Sequence, residues 1–493
     1  ARVMLLEQTA HWGGRAPVDG GTVNDTPVDK VVDSLIAELS AISYAFCDVL
    51  VMGAGVYDHG YVLGYERLRD HAPDAPGPRH RLWRIRAAQI VTATGAIERP
   101  LSFAGNDIPG VMLASAVRDY IANFAVSPGD RTVVVTNNDD AYRTAIAVKN
   151  AGLDVPAIID ARSEGAPGPL ATEAEALGIR ILRGKAIAKV HGTGRVTGIT
   201  LCAQADEGAS LEEIACDAVA MSGGWSPVVH LWSHCGGKLT WDDTQACFRP
   251  DVDKAPIGAD GASNHRPAGA ANGHLHMSTL VADAHAAGQA AAQAAGYKPK
   301  KGGAPAGASL DEAPLLPVWR MPQGAAQDLR AKSWLDFQND VKVSDVELAA
   351  QEGFESVEHA KRYTTLGMAT DQGKLSNING LAILSDALGQ PIPQTGTTTF
   401  RPPYTPISMG AIAGEARGEI FQPLRRTPLH DWHDTNGAHW EPVGHWRRPY
   451  AYVRSGEKLH DAVMRETKNV RENLGLLDAS TLGKLLVKGP DAG

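Results

Sequence analysis

Residues with the types and spacing needed for nucleotide chemistry fall in three places along the chain. Glu7 closes the apolar run Ala1-Arg-Val-Met-Leu-Leu. A carboxylate at the end of such a strand can accept both hydroxyls of an adenosine ribose. Gln8 and Thr9 follow it, and then Gly13-Gly14-Arg15, a loop able to run against a nucleotide. Ile90-Val-Thr-Ala93 reads as a short buried strand entering Thr94-Gly95, where the missing Cβ allows close approach of the backbone. Finally, Ala268-Gly-Ala-Ala-Asn-Gly-His274 precedes an Ala-rich helix from about Met277 to Ala295. Small residues there let the first helical N–H groups face a phosphate or a nucleotide edge. Each feature alone also reads as ordinary packing: a surface acid, a core strand, a loose helix entry.

A Gly-rich turn is expected roughly 20 residues before the ribose acid, and it is absent from this sequence. The chain starts at Ala1 without Met and stops at Gly493 inside another pattern, so both ends are read as cut. A second strand–turn–helix runs from Arg131-Thr-Val-Val-Val-Thr136 into a helix over Ala141 to Ala151. Its turn reads Asn137-Asn138-Asp139-Asp140, where side chains would block a pyrophosphate and two carboxylates would repel it. This second site is expected to be dead, which counts against an independent NAD(P)H-dependent flavoprotein reductase.

The net charge of −9 is spread without a basic stripe, which argues against nucleic acid as a partner. No run of 18 apolar residues and no basic-then-apolar leader occurs, so neither a membrane span nor secretion is expected. Cys47, Cys202, Cys216, Cys235 and Cys247 form no CxxC pair. Reduced thiols in the cytoplasm are therefore expected rather than a disulfide, zinc knuckle or iron–sulfur cluster.

The elements that must position these residues follow from periodicity. Pro27 to Leu39 has helical spacing, Asp48 to Tyr57 reads as a strand broken at Gly53 and Gly55, and Arg81 to Arg86 as half of a hairpin. Cys216 to Ser222, ahead of Gly223-Gly224, reads as the return strand of the first nucleotide-binding sheet. The Pro-, Gly- and Lys-rich stretch from Tyr297 reads as a linker. Ser344-Asp-Val-Glu347 resembles a capping box; helices are expected to Gln351, from Ser356 to about Leu366, and from Leu381 to Leu388. In the last part, His430, His433, His439 and His445 stand among Trp432, Trp440 and Trp446. Their irregular spacing favours an aromatic loop packed on a sheet over a metal site. A helix from Glu466 to Leu474 and a strand Lys484 to Lys488 complete the pattern. The expected domains are a nucleotide-binding unit of residues 1–125 and 215–296, an inserted unit of 126–214, a linker of 297–313, a small helical domain of 314–395 and a last domain from 396.

The order of Glu7, Gly13-Gly14, Tyr57-Asp58-His59, Ala93-Thr94-Gly95, Arg99-Pro100, Ile108-Pro-Gly-Val-Met112, Ser222-Gly-Gly-Trp-Ser-Pro-Val-Val229 and Gly269-Ala-Ala-Asn-Gly273 resembles the alpha subunits of heterotetrameric sarcosine oxidases. Val470-Arg-Glu-Asn-Leu-Gly-Leu-Leu-Asp-Ala-Ser480 and Gly489-Pro-Asp-Ala492 resemble the opening of the aminomethyltransferase fold. The resemblance implies an α/β fold: a Rossmann-type module similar to two-dinucleotide-binding-domain flavoproteins, a small helical domain, and the start of an aminomethyltransferase-like α+β domain. It implies oxidative demethylation of sarcosine to glycine, with the one-carbon unit passed to tetrahydrofolate or released as formaldehyde, and hydrogen peroxide formed from oxygen. It implies NAD on this chain, FMN at the interface with a beta subunit, FAD on that beta subunit, and further gamma and delta partners. Carried over by motif, the NAD contacts fall on Glu7, Gln8, Thr9, Arg15, Gly53, Ala270, Leu275 and Met277, beside Thr94 and Gly95. Gln8, Thr9, Arg15 and Met277 are unexpected types there, so backbone contacts are implied at those positions. A sister group, the opine oxidase subunits, carries cluster-binding cysteines where this chain has Thr370-Asp-Gln-Gly-Lys-Leu-Ser376. Asp371 and Ser376 stand where thiolates would be needed.

Overall fold

The computed structural model describes residues 2–163, 168–258, 261–299 and 302–493. Ala1, read as the start of the opening strand, and Lys300 and Lys301, read as linker, lie outside the described residues. The chain forms two compact units, one ending at Ile407 and one running from Ser408 to Gly493.

In the first unit the opening strand Val3–Leu6 lies parallel to Ala45–Asp48, with Leu6 opposite Asp48. The helix Val28–Ser40 connects them, the crossover that a parallel pair requires. Next comes an antiparallel meander of Val51–Tyr57, Tyr61–Arg67 and His80–Arg86. The break expected at Gly53 and Gly55 is a register shift within one continuous strand, a bulge made where the side chain is absent.

Ile90–Thr92 pairs in parallel with His265–Pro267, and the next strand, Ala96–Glu98, pairs antiparallel with Trp225–Pro227. The expectation of one sheet joining the N-terminal part to residues 215–295 is corrected here. Among the described residues these strands form separate two-stranded pairs.

A second correction concerns the return strand. Ala218–Ser222 lies inside a five-stranded parallel sheet ordered Val111–Leu113, Ala218–Ser222, Thr132–Thr136, Ile158–Asp160, Ile181–Arg183. Its sequence shows that it is buried, but an all-apolar run carries no mark of which neighbours it will pair with. The sheet's two faces carry separate cores, one with Val133, Val135, Ile159 and Val219, the other with Val134, Ile158, Tyr142 and Ala220.

The helices Val343–Gln351, Val357–Thr364 and Asn377–Leu388 enclose Leu335, Val346, Leu366, Leu381 and Ile383. The cap of the first differs from expectation. Lys342 donates its backbone N–H to Asp345 Oδ2 at 2.9 Å, two residues earlier than predicted. Glu347 instead faces Arg320 at 2.9 Å and Arg330 at 3.2 Å.

The second unit holds the short helix His430–Thr435, the hairpin of Ala438–Val443 and Trp446–Tyr452, and the helix Leu459–Glu472. The predicted strand Lys484 to Lys488 is not formed: Leu485 is 97% exposed. Among the described residues nothing pairs with this segment, and a lone strand has no stability of its own.

Candidate nucleotide-binding site

Parallel strands place their C-terminal ends, and whatever follows them, on one edge, the usual position for a ligand in an α/β sheet. Thr92 stands opposite Pro267. Thr94-Gly95 and Ala268 to Ala270 therefore leave the same edge of this pair. Gly95 has φ +75° and no atom within 4 Å of where a Cβ would stand, so this turn opens on space. Thr94 donates Oγ1–H to Val228 O at 3.1 Å, and Gly95 O accepts from Val228 N at 2.9 Å. The turn is thus held from behind.

Gly269 also has positive φ, +61°. Its N–H donates to Asp283 Oδ2 at 2.7 Å and Asn272 Nδ2 donates to Asp283 Oδ1 at 3.1 Å. Asp283 lies on the helix Met277–Ala294, so this helix fixes the turn that precedes it. Ala270 and Leu275 are half-buried. Met277 packs its side chain on Gly21, 3.1 Å from the position a Cβ would take.

Glu7 continues past its strand, its N–H donating to Asp48 O at 3.0 Å. Its Oε1 accepts from Thr9 N at 2.7 Å and from Thr9 Oγ1 at 3.0 Å. Thr9 and Gln8 are exposed, and their carbonyls accept from Leu50 N and Arg67 Nη2 at 2.9 and 2.8 Å. Gly53 lies in the bulge, with Leu231 at ordinary contact distance. Arg15 has other work: its fork holds Asp19 at 2.9 Å and Asp119 at 2.6 Å, and it stacks over Trp225 at 5.3 Å. The structure thus gathers Thr94, Gly95 and Ala270 on one edge and sets Met277 at the entry of the adjoining helix. Glu7, Gln8 and Thr9 follow the strand Val3–Leu6, and Gly53 lies within Val51–Tyr57.

Several charged groups beside this edge have no motif. Glu98 is 2% exposed and accepts from Ser115 N at 2.8 Å, at the start of the helix Ala114–Phe124. Burial, and then the nearby Asp140 carboxylate, push its pKa up to about 7. Burial alone would raise Asp140 as well, but Arg118 and Arg143 hold it below the usual carboxylate range. Arg99 is buried and donates to Gly223 O, Trp225 O, Ser226 Oγ and Gln245 O, clasping the two antiparallel strands; burial lowers it to about 10. His265 lies between Thr92 Oγ1 at 3.1 Å and Cys235 Sγ at 3.2 Å, and burial pushes it down to about 4. It is a neutral core histidine. In the sequence Arg99 stands out only as part of Arg99-Pro100 after the strand, and Glu98 carries no signal beyond a charge between Ile97 and Arg99.

In the second unit two of the four histidines are buried against specific partners. His433 faces Tyr452 OH at 2.5 Å and Asp478 Oδ2 at 2.9 Å, and His430 stacks on Trp440 at 4.6 Å. Among the described residues no group of three or more His, Cys, Asp or Glu is placed to hold a metal ion. Nor is any described helix long and apolar enough to cross a membrane.

Comparison with known proteins gives this geometry its context. Residues 330–415 match the sarcosine oxidase A3 domain family, and residues 429–493 match the GCVT N-terminal domain family. The sarcosine oxidase subunit alpha of Corynebacterium sp. (strain U-96) is 38% identical over 504 aligned residues, covering 100% of this chain and 51% of that protein. Along its whole length the chain is similar to sarcosine oxidase alpha subunits. That of Rhizobium meliloti (strain 1021) is 37% identical, with 100% of this chain and 48% of that protein covered. The chain therefore spans about half the length of these curated relatives. The crystal structure of L-proline dehydrogenase from P. horikoshii superposes with a TM-score of 0.60 at 20% identity, over 83% of this chain and 74% of that one. It shares the fold, which is the dinucleotide-binding α/β type expected from the sequence.

Proposed function

We propose that this chain is the nucleotide-holding alpha subunit of an oxidoreductase complex that demethylates sarcosine. NAD would lie along the edge where Thr94-Gly95 and Ala268 to Ala270 emerge, with its ribose on Glu7. Thr9 already occupies Glu7 Oε1, so Oε2 is the atom offered to a ribose diol. The open space at Gly95 and the positive φ of Gly269 suit close approach of a nucleotide backbone. Arg15 and Met277 would contribute through their main chain, since their side chains are occupied within the protein, and Gln8 and Thr9 would border the ligand beside Glu7. Gly53 and Leu275 would border the same ligand. NAD supplies hydride chemistry when free, but here it is assigned a mainly structural part.

The oxidation itself is assigned to flavins outside this chain's own site: FAD on a beta subunit and FMN between beta and alpha. Sarcosine would become glycine there. Its one-carbon unit would go to tetrahydrofolate at the aminomethyltransferase-like domain, or be released as formaldehyde, with oxygen reduced to hydrogen peroxide. Gamma and delta subunits would complete the assembly, in the cytoplasm. The observation that carries this reading is the unbroken similarity to sarcosine oxidase alpha subunits along all of the chain.

The test is direct. The full-length protein is co-expressed with its candidate partner subunits, assayed for sarcosine-dependent peroxide, and extracted for bound NAD. Peroxide formation with NAD co-purifying is the expected result; flavin-dependent NADH turnover by the chain alone would instead identify a free-standing reductase. Removing a charged acceptor from a hydrogen-bonded pair costs about 1.5–3 kcal/mol. Glu7→Gln should therefore weaken NAD retention roughly 10- to 100-fold, read by equilibrium dialysis.

A further inference from the structure

The turn Asn137–Asp140 stands where a second dinucleotide would be bound, and it does not stand empty. Its four residues are between 1% and 7% exposed. Asn137 holds Leu316 twice: its carbonyl accepts from Leu316 N at 3.0 Å and its Nδ2 donates to Leu316 O at 2.7 Å. Asp139 Oδ2 accepts from Ala313 N at 2.8 Å. Arg143, in the first turn of the helix Asp140–Asn150, donates to Glu312 Oε1 at 2.5 Å. Arg162 donates to Pro314 O at 3.3 Å, and it also fixes Asp139 at 2.6 Å.

These contacts come from the turn and the start of the helix, the parts of a Rossmann unit that grip a pyrophosphate, and from Arg162, which follows the neighbouring strand Ile158–Asp160. A pyrophosphate brings acceptors and negative charge, and needs donors. The turn offers carboxylates and an amide carbonyl, which suit the N–H groups of a peptide. The one acidic group that does arrive, Glu312, meets a guanidinium beside a helix N-terminus, as a phosphate would.

We infer that residues 311–316 are a built-in occupant of the second dinucleotide position, closing it to any free pyridine nucleotide. The Asn/Asp turn is the complementary half of this contact. The inference does not rest on NAD binding at the first site, and each can fail without the other.

Hydrogen exchange on the full-length protein tests it. In the wild type, the amides of Ala313 and Leu316 should exchange at least a hundredfold more slowly than those of an unstructured peptide. In the double variant Asn137→Ala/Asp139→Ala this protection should fall at least tenfold, while the amides of the helix Asp140–Asn150 stay protected. Millimolar NADPH should leave exchange at residues 137–143 unchanged. Free-peptide rates at Ala313 and Leu316 in the wild type would overturn the inference even if the variant failed to fold. So would unchanged protection in a folded variant, or protection of residues 137–143 by NADPH.

Discussion

Glu98 shows how burial sets the behaviour of a single carboxyl. Its pKa in the folded chain is about 7, above the ordinary glutamate value of about 4.3. Between those values the folded state holds a proton that the unfolded chain has released. Stability must then fall as pH rises through this window, the opposite of a salt-bridged acid. Glu98→Gln keeps an acceptor for Ser115 N–H and removes the titration. The variant should match the wild type near pH 4 and exceed it by about 1–3 kcal/mol at pH 8. Urea unfolding at the two pH values checks both the sign and the size. Glu98 is taken up at a helix start, and among the described residues the adjacent Arg99 guanidinium donates to four neutral acceptors.

At the scale of elements, the second unit depends on a contact between chain segments far apart in sequence. Asp478 meets His433, and the two side chains are 3% and 5% exposed. Burial works to raise Asp478, but hydrogen bonds from Ser480 and His433 hold it well below the usual carboxylate range. A depressed carboxylate adds stability that is present above about pH 4 and fades as acid protonates the folded form. Asp478→Asn should cost about 1–3 kcal/mol at pH 7 and flatten the acid limb of a thermal-melting profile for this unit. The histidines of that contact were visible in the sequence, but their partners were not. Tyr452 is 19 positions from His433 and Asp478 is 45, and no periodicity encodes such pairings. The strands and long helices were legible because each carries its own pattern of apolar residues and breakers, as Thr132–Thr136 and Met277–Ala294 do. Which strands become neighbours was not, because an apolar face fits many others; Ala218–Ser222 was read into the wrong sheet for that reason. The turns of the candidate site were legible at Gly95 and Gly269, whose positive φ suits glycine. The ion pairs of the Arg15 side chain with Asp19 and Asp119 were not legible, since a cation in a loop near glycines reads the same whether or not carboxylates have engaged it.

For the whole molecule, the order of the five-stranded sheet sets the order in which it can be completed. Thr132–Thr136 has Ile158–Asp160 on one side and Ala218–Ser222 on the other. During synthesis the first neighbour emerges early and the second only after residue 222, with three antiparallel strands, Lys185–His191, Gly198–Ala203 and Glu212–Ala215, made in between. Such a long-range closure is entropically slow and leaves an apolar edge uncovered meanwhile. A nascent chain stalled near residue 215 should therefore bind chaperone and resist compaction, whereas one stalled about 40 residues beyond Ser222, enough to clear the ribosomal tunnel, should become protease-resistant. Ribosome-bound proteolysis at the two lengths would show it. The strand that is threaded last into the middle of the sheet is thus the clasp of this half of the protein, and a translation pause just before it would be the interval of greatest risk.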